Sequence, residues 1–399
     1  MEENNLDSKS SANYQDFSLV SGGLIYSLTS VFRHKGKPKW DLPKTAFALA
    51  FLTWFPLGLL AIFYGTLNDN DTTISFFEDF LVHVRFLFVV PFLILIEKMV
   101  DKTFVEYIKN TDDIIPNSQQ NRFNILVKRL DKLTNSYLPE IIILLVYYIA
   151  IFTNPQLISA EDSGRNYMTY LGSSNLNIAG WYNWLFCVPI FILLTFRWIW
   201  RWIVWVYSLI GISYFKIYID PLHADKMGGL GYLNLVPLTF SFILIAPSAM
   251  MSSVIGIDII YNNASFMSYY SLILFYVILS PIVLYSPLFI FTPKLINARR
   301  DGMLKFGSLL RKHNRDYIKK WIDGESNQDE TILGALDNSS LADINGSYAP
   351  IDESKLFTID FRNVIVSIII NAIPYIPLVF TYYSFTELFK LFIASMTGG

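Results

Sequence analysis

The sequence predicts an all-α fold, a polytopic transmembrane bundle of about seven spans with a helical cytoplasmic segment between the sixth and seventh. Hydrophobic residues make up 53% of the 399 residues and charged residues only 16%, which is far from the balance of a soluble domain. Seven apolar runs approach or exceed the roughly 20 residues that a helix needs to cross a bilayer. The segments that connect these runs alternate sharply between basic and nearly free of lysine and arginine.

The apolar runs and their connectors divide the chain into five parts. The predicted spans are residues 45–65, 80–96, 137–152, 181–215, 233–255, 269–291 and 363–396. We expect a disordered cytoplasmic tail (1–22), an interfacial amphipathic helix with a basic linker (23–44), a six-span bundle (45–293), a cytoplasmic helical and loop segment (294–362) and a C-terminal span (363–399). The end of the last part is open to two interpretations, a span or a partly interfacial helix after the Pro374/Pro377 break.

The charge of the connectors predicts the orientation. Residues 33–44, 98–136 and 294–362 hold most of the basic residues, whereas 154–180 holds only Arg165. By the positive-inside rule the basic segments and the N-terminus are cytoplasmic, and an odd number of crossings places the C-terminus outside. The net charge of −2 offers no basis for a nucleic-acid partner, and the lipid bilayer is the expected one.

Four basic residues fall inside predicted spans, and their presence there needs an explanation. They are His83 and Arg85 in the second span and Arg197 and Arg201 in the fourth. An unpaired arginine at the bilayer centre costs about 2.5 kcal/mol or more, so each must snorkel, pair or face water. Snorkelling to the inner interface is favoured for Arg197 and Arg201, with Glu97 and Glu140 as candidate partners on that side. The alternative is that the four residues line an anion path.

Small residues recur every four positions in the fifth span, at Ser248, Ser252 and Gly256. Such a stripe allows two helices to approach closely. Packing within the chain is favoured, and a homo-oligomer joined through the stripe is the alternative.

The stretch "IDPLHADKMGGLGYLN", residues 219–234, joins the fourth and fifth spans and concentrates polar residues. Three interpretations are open. In the favoured one, Asp225 accepts hydrogen bonds from loop N–H groups while Gly228 and Gly229 permit a tight turn. In the second, backbone N–H groups before the helix bind an anion with help from Lys226. In the third, His223, Asp220 and Asp225 bind a metal, although three candidate ligands within six residues are a weak signal.

The loop also carries a family resemblance. His223, Asp225, Gly228, Gly229, Leu230, Gly231 and Leu233 match the H-P-D-x-x-G-G-L-G-F-L motif of an uncharacterised family of bacterial multi-pass inner-membrane proteins, and Ala224 replaces the family's proline. The blocks "LTWFPL", "VRFLFVVPFLILIE", "RWIWRWIVW" and "LGALDNSSLADINGSY" are similar to blocks of that family. The resemblance spans most of the chain and implies the helical fold and a bacterial inner-membrane location, but no particular activity.

These blocks suggest one site on the cytoplasmic face. The loop, Arg197 and Arg201, and the segment Ser340 to Asp343 are all expected on that side of the membrane. We expect His223 and Asp225 to organise the loop against Ser340 and Asp343, because both segments are turn-forming and polar.

Transport or channel activity for anions is the first functional hypothesis, because kinked spans and intramembrane arginines support it. A scaffold or signalling component that docks a cytoplasmic protein is the second, and a lipid-modifying enzyme is the third. The sequence has no H-E-x-x-H, G-x-S-x-G or phosphate-binding glycine loop, so it favours no enzymatic chemistry, and it names no cofactor.

Overall fold

The computed structural model describes residues 18–20, 22–23, 42–65, 74–154, 164–170, 175–323 and 336–382. Within these ranges the fold is all-α, with no β-strand and two isolated bridges, Ile74 to Arg165 and Thr169 to Leu176. Seven helices are long and apolar enough to cross a membrane: α1 (Leu42–Gly65), α2 (Phe80–Ile114), α3 (Asn117–Thr153), α4 (Ile178–Ser213), α5 (Gly231–Tyr261), α6 (Phe266–Trp321) and α8 (Phe361–Thr381). Helix α7 (Leu336–Asp352) lies between the last two. The predicted seven-span bundle is confirmed.

Several of these helices extend well beyond the apolar runs that predicted them. Helix α2 continues as the amphipathic stretch Glu97–Ile114, and α6 continues as Thr292–Trp321. Amphipathic extensions of this kind carry charged residues past the membrane while their apolar stripe stays packed. Of the expected interfacial helix at 23–44, residues 24–41 lie outside the described residues, as do residues 383–399 of the predicted last span.

Prolines and local changes of helical pitch occur together in the spans. A π-helical turn, Asn183–Cys187, precedes Pro189, and a 3-10 stretch, Ser286–Phe291, contains Pro287. A second 3-10 turn, Ile373–Tyr375, contains Pro374. Proline removes a backbone donor and clashes with the preceding turn, and altered pitch accommodates both effects. At these prolines the spans therefore depart from regular α-helical pitch.

Helices α2 and α4 form the centre of the bundle. Phe86, Val89 and Leu93 of α2 and Trp198 and Trp205 of α4 are buried in the main hydrophobic core. In contrast, α3 presents many of its large apolar side chains outward, among them Ile142, Leu145 and Phe152. Apolar side chains directed away from the core are expected where lipid is the surrounding solvent. Side chains of α2 and α4 are therefore the ones most enclosed by other parts of the protein.

One end of the bundle gathers most of the charged segments, and we call it the basic end. The C-terminal end of α2 and the residues after α4 meet there, since Tyr218 N donates to Ile114 O at 3.4 Å. Lys294 at the start of the α6 extension donates to Phe215 O at 2.5 Å. The α6 extension and α7 pack along each other, joined by Tyr317 to Asn338 (2.6 Å). Within the predicted helical and loop segment (294–362), the described residues thus include a helix pair at this end.

The small-residue stripe packs within the chain. Ser248, Ser252 and Gly256 are all buried. Ser248 Oγ donates to Asn371 Oδ1 of α8, and Asn371 Nδ2 donates to Ser280 Oγ of α6 at 2.6 Å. Close approach of α5 to α8 is what small side chains permit, and hydrogen bonds between helices add to it. This is the alternative that the sequence favoured.

Candidate functional site

A buried cluster of two arginines and two glutamates joins α2, α3 and α4 near the basic end. Arg201 Nη2 lies 2.9 Å from Glu97 Oε1 of α2. Arg197 Nη1 lies 3.6 Å from the same oxygen, and Arg197 Nε lies 3.8 Å from Glu140 Oε1 of α3. All four residues are at most 5% exposed. We call these residues the ion cluster.

The sequence explains how each member reaches the ion cluster. Arg197 and Arg201 are four residues apart on α4 and therefore share one face of that helix. Glu97 follows the end of the apolar part of α2, and Glu140 lies in the first turn of the apolar part of α3. Both acids were candidate partners, and the ion pairs confirm them. Snorkelling of the two arginines is wrong, because counter-charges inside the protein hold the guanidinium groups there.

A short N-terminal segment supplies further hydrogen-bond acceptors to the arginines. We call residues 18–23, described at 18–20 and 22–23, the strap. Arg197 Nη2 donates to Val20 O and, at 2.8 Å, to Gly22 O. Arg201 Nη2 donates to Val20 O at 3.3 Å. The expectation of a disordered tail over residues 1–22 is therefore wrong for residues 18–20 and 22, since buried guanidinium groups need the acceptors that these carbonyls supply. Residues 1–17 and 21 lie outside the described residues.

His83 and Arg85 lie elsewhere, in the first turns of α2. His83 Nδ1 accepts a hydrogen bond from Trp54 Nε1 at 2.9 Å, and the Arg85 guanidinium lies 5.5 Å from the centre of the Phe191 ring. Arg85 and Glu97 are twelve residues apart on one helix, roughly 18 Å along its axis. The structure thus places the four predicted basic residues in two groups rather than one.

A large apolar cavity among the described spans does not include the arginines in its lining. It has a volume of about 880 Å³ and lies between α2, α4, α5 and α6, with Leu93, Phe191, Trp198 and Phe240 among its lining residues. Trp198 lies between this cavity and the ion cluster, because the Arg201 guanidinium is 4.4 Å from its ring centre. An apolar lining of this kind suits a hydrocarbon group and offers little to a hydrated ion.

The loop that follows α4 is organised by a single carboxylate. Asp225 Oδ1 accepts from Met227 N at 2.8 Å and from Gly229 N at 3.1 Å, and Asp225 Oδ2 accepts from Gly231 N at 2.8 Å. Gly228 and Gly229 have φ of +67° and +87°, values that glycine adopts without strain. The cap interpretation of the loop is confirmed.

The described structure supports neither of the other two interpretations of the loop, the anion site and the metal site. The N–H groups of Met227, Gly229 and Gly231, which an external anion would need, already donate to Asp225. No group of three or more potential metal ligands occurs among the described residues. Burial by itself raises the pKa of Asp225, but the three N–H groups and His223 outweigh it and lower that pKa below its ordinary value. The anion that the loop binds is therefore its own carboxylate.

The loop contacts the residues that follow α7 rather than Ser340 and Asp343. Lys226 Nζ lies 2.5 Å from Glu353 Oε2, and Lys355 N donates to Lys226 O at 2.7 Å. Ser340 Oγ lies 3.3 Å from His313 Nε2 of the α6 extension, and the backbone carbonyl of Asp343 accepts from Ser347 Oγ within α7. The expected contact between the loop and the Ser340 segment is wrong. That segment is helical, and it lies twelve residues, roughly 18 Å, from Asp352 along α7.

Another buried carboxylate, Asp79, lies at the opposite end of the bundle and was not among the residues predicted from the sequence. Asp79 is fully buried, and it accepts from Arg165 Nε at 2.5 Å and from Tyr167 OH at 2.7 Å. It also caps the first turn of α2. The only signal in the sequence was Arg165, the single basic residue of its connector. The strap gave no comparable signal, because its contacts are mainly made by backbone atoms.

Comparison with known proteins gives no relative. No family model, no curated protein and no solved structure matches the chain.

Replacing Glu97 by glutamine tests the ion cluster. We expect the variant to lose about 3–5 kcal/mol of stability, because the change leaves buried arginine charge uncompensated. The double variant Glu97→Met, Arg201→Met should recover much of that loss, since it removes both charges at similar volume. Thermal unfolding in detergent, followed by size-exclusion chromatography, measures both. Glu106→Gln, which breaks an exposed ion pair with Lys102, is the control. A Glu97→Gln variant that melts with the wild type would contradict the role of the cluster.

Replacing Asp225 by alanine tests the loop. Three N–H groups lose their acceptor, so we expect a loss of about 1–3 kcal/mol, whereas Asp343→Ala on the exposed face of α7 should change little. The pKa of Asp225 is lower in the folded state than in the unfolded state, where it is about 3.9. The contribution of Asp225 to the free energy of unfolding is therefore complete above the unfolded-state pKa. It disappears as the pH falls through the lower folded-state pKa. The difference in melting temperature between the wild type and Asp225→Asn should therefore shrink below about pH 4. A difference that stays constant down to pH 2 would rule out this linkage.

Proposed function

We propose that the protein is a membrane-embedded scaffold whose α6 extension docks an acidic segment of a cytoplasmic protein. The observation that supports it most directly is the composition of that helix, Thr292–Trp321, which has nine lysines and arginines against two aspartates. The positive-inside rule supports a cytoplasmic location for such a segment. A bacterial inner membrane is the location that the sequence resemblance implies, and it forms part of the proposal.

One side of the α6 extension has the character of a docking face. Leu304, Arg311, Arg315, Ile318 and Ile322 follow one another at intervals of seven, four, three and four residues, so they share one side of the helix. All five are exposed, Leu304 to 62% and Ile322 to 70%. We call them the docking face. Two arginines with apolar side chains on either side of them along the helix suit an amphipathic acidic helix, which supplies both apolar contact and opposite charge.

The docking face is presented on a firmly attached helix. Arg299 Nη2 donates to Asp352 O at 2.6 Å, and Lys320 Nζ lies 2.7 Å from Asp337 Oδ2. Ile351 is fully buried, close to Gly302 on the side of α6 that faces α7. Because α7 covers that side, the docking face remains available. A partner would bind without ordering the helix first, which reduces the entropic cost of association.

The alternative of an anion channel stays a prediction, and two features of the structure weigh against it. The ion cluster pairs Arg197 and Arg201 with two glutamates, so little net positive charge remains to attract anions. The large cavity between the spans is apolar. An enzyme that modifies lipids has no further support from the described residues.

Cysteine labelling tests the proposed orientation. In a Cys187→Ser background, Lys128→Cys and Arg300→Cys should react from the cytoplasmic side, and Asn262→Cys from the external side, because the first two lie at the basic end. Membrane-impermeant maleimide applied to intact cells and to inverted vesicles provides the measurement. External labelling at position 300 would reverse the orientation and place the docking face outside the cell.

Site-specific photo-crosslinking tests the docking proposal. A photoreactive residue in place of Ile318 should yield a discrete protein adduct in native membranes. Mass spectrometry of the adduct should show that the crosslinked segment of the partner is rich in aspartate and glutamate. Reversing the charge of Arg311 and Arg315 to glutamate should reduce that adduct at least tenfold. Leu309 is a matched control, because it is apolar and 53% exposed but lies five residues, roughly 140°, around the helix from Leu304.

Two results would contradict the scaffold proposal. The first is an adduct that contains lipid alone, or one that forms equally from position 309, because the docking face would then not be selective for a protein. The second is an anion-selective flux through liposomes that contain the purified protein, lowered by Arg85→Gln without loss of folding. That flux would favour the channel hypothesis instead.

A further inference from the structure

The strap contacts the ion cluster and the neighbouring part of α2 as a short bound peptide would. Beyond the bonds from Arg197 and Arg201 to Val20 O and Gly22 O, Asp101 Oδ1 of α2 accepts from Ser18 Oγ and from Leu19 N, both at 2.8 Å. Leu19 is fully buried. The strap thus donates to α2 and accepts from α4, and Val20 is buried together with Leu19.

The two glycines of the strap are required by close approach. Gly22 and Gly23 have φ of +107° and +86°, and a Cβ at either position would collide with Asn135 or Glu140 of α3. Any other residue would suffer both backbone strain and that collision. A segment that fits this site therefore needs a hydroxyl as at Ser18, an apolar side chain as at Leu19, two free backbone carbonyls and two glycines.

The charges of the site favour an uncharged peptide segment as its occupant. The strap sequence "SLVSGG" carries no charge, and the cluster beneath it already balances the two arginines against Glu97 and Glu140. Arg201 Nη1 and Glu97 Oε2 are buried with no hydrogen-bond partner among the described residues. A carboxylate or phosphate in place of the strap would face the glutamates, whereas peptide carbonyls carry only partial charge.

We propose that the ion cluster and Asp101 form a binding site for a short, uncharged peptide segment, and that the strap is its reversible intramolecular occupant. The site is separate from the docking face and does not depend on the scaffold proposal. A strap held on the same chain has a high effective concentration, so a free peptide competes poorly while the strap is attached. Release of the strap opens the site to a segment of the same chemistry from another chain.

The test uses the full chain, folded before it is altered. A specific protease site is inserted between residues 24 and 41, and the purified protein is cut in detergent and washed. The probe is a fluorescent peptide of residues 17–23 with blocked ends, which carries no charged side chain, and its binding is followed by anisotropy. We expect saturable binding to the cut protein and binding at least tenfold weaker to the uncut protein. The bound peptide should also raise the melting temperature of the cut, washed protein.

Two control peptides separate specific binding from adhesion to detergent or membrane. A Leu19→Asp peptide should bind about tenfold or more weakly, because it loses the buried leucine. A Gly22→Val, Gly23→Val peptide should fail because of the collisions with α3. Equal binding of all three peptides would overturn the proposal. So would a cut strap that stays bound and does not exchange with excess labelled peptide over days, because the strap would then be a permanent part of the fold.

Discussion

The ion pairs of Arg197 and Arg201 with Glu97 and Glu140 are the constraint on which the rest of the structure depends. Charge buried among transmembrane helices is costly unless it is paired and hydrogen-bonded, and removal of one partner costs more than the pair gains. The four residues come from α2, α3 and α4, so these helices must meet at one depth and one rotation. Since α2 and α4 also form the apolar centre, the positions of the outer helices follow from theirs.

The same constraint accounts for features that otherwise look unrelated. The guanidinium groups have more donors than two carboxylates satisfy, and the carbonyls of Val20 and Gly22 accept from them. One face of Arg201 lies over the ring of Trp198, a contact that stabilises a cation where water is absent. Behind Trp198 the cavity is apolar. Arginines that suggest an anion path in the sequence are, in three dimensions, enclosed on several sides by groups of the same chain.

At the basic end a second carboxylate acts over a shorter range. Asp225 collects the N–H groups of the loop after α4, and the loop so ordered holds Glu353 through Lys226. Asn234 at the start of α5 continues this attachment, because it donates to Thr358 O at 2.6 Å and accepts from Asp360 N at 2.9 Å. The helix pair of α6 and α7 is thereby fixed to the spans. A surface held in this way can present its exposed side to a partner with little loss of freedom on binding.

The sequence by itself determined the membrane class, the number of spans, the turn at Gly228 and Gly229 and the capping role of Asp225, because hydropathy and turn chemistry depend on neighbours along the chain. It also identified Glu97 and Glu140 as partners for arginines, since charges in spans need counter-charges. Only the tertiary structure decided that Arg197 and Arg201 are enclosed rather than snorkelled, that the strap supplies their acceptors, and that Ser340 lies far from the loop. These outcomes depend on which helix faces meet and on backbone atoms distant in the chain. Every residue has the same backbone carbonyl, so the order of side chains in the sequence does not predict which group will donate a hydrogen bond to it.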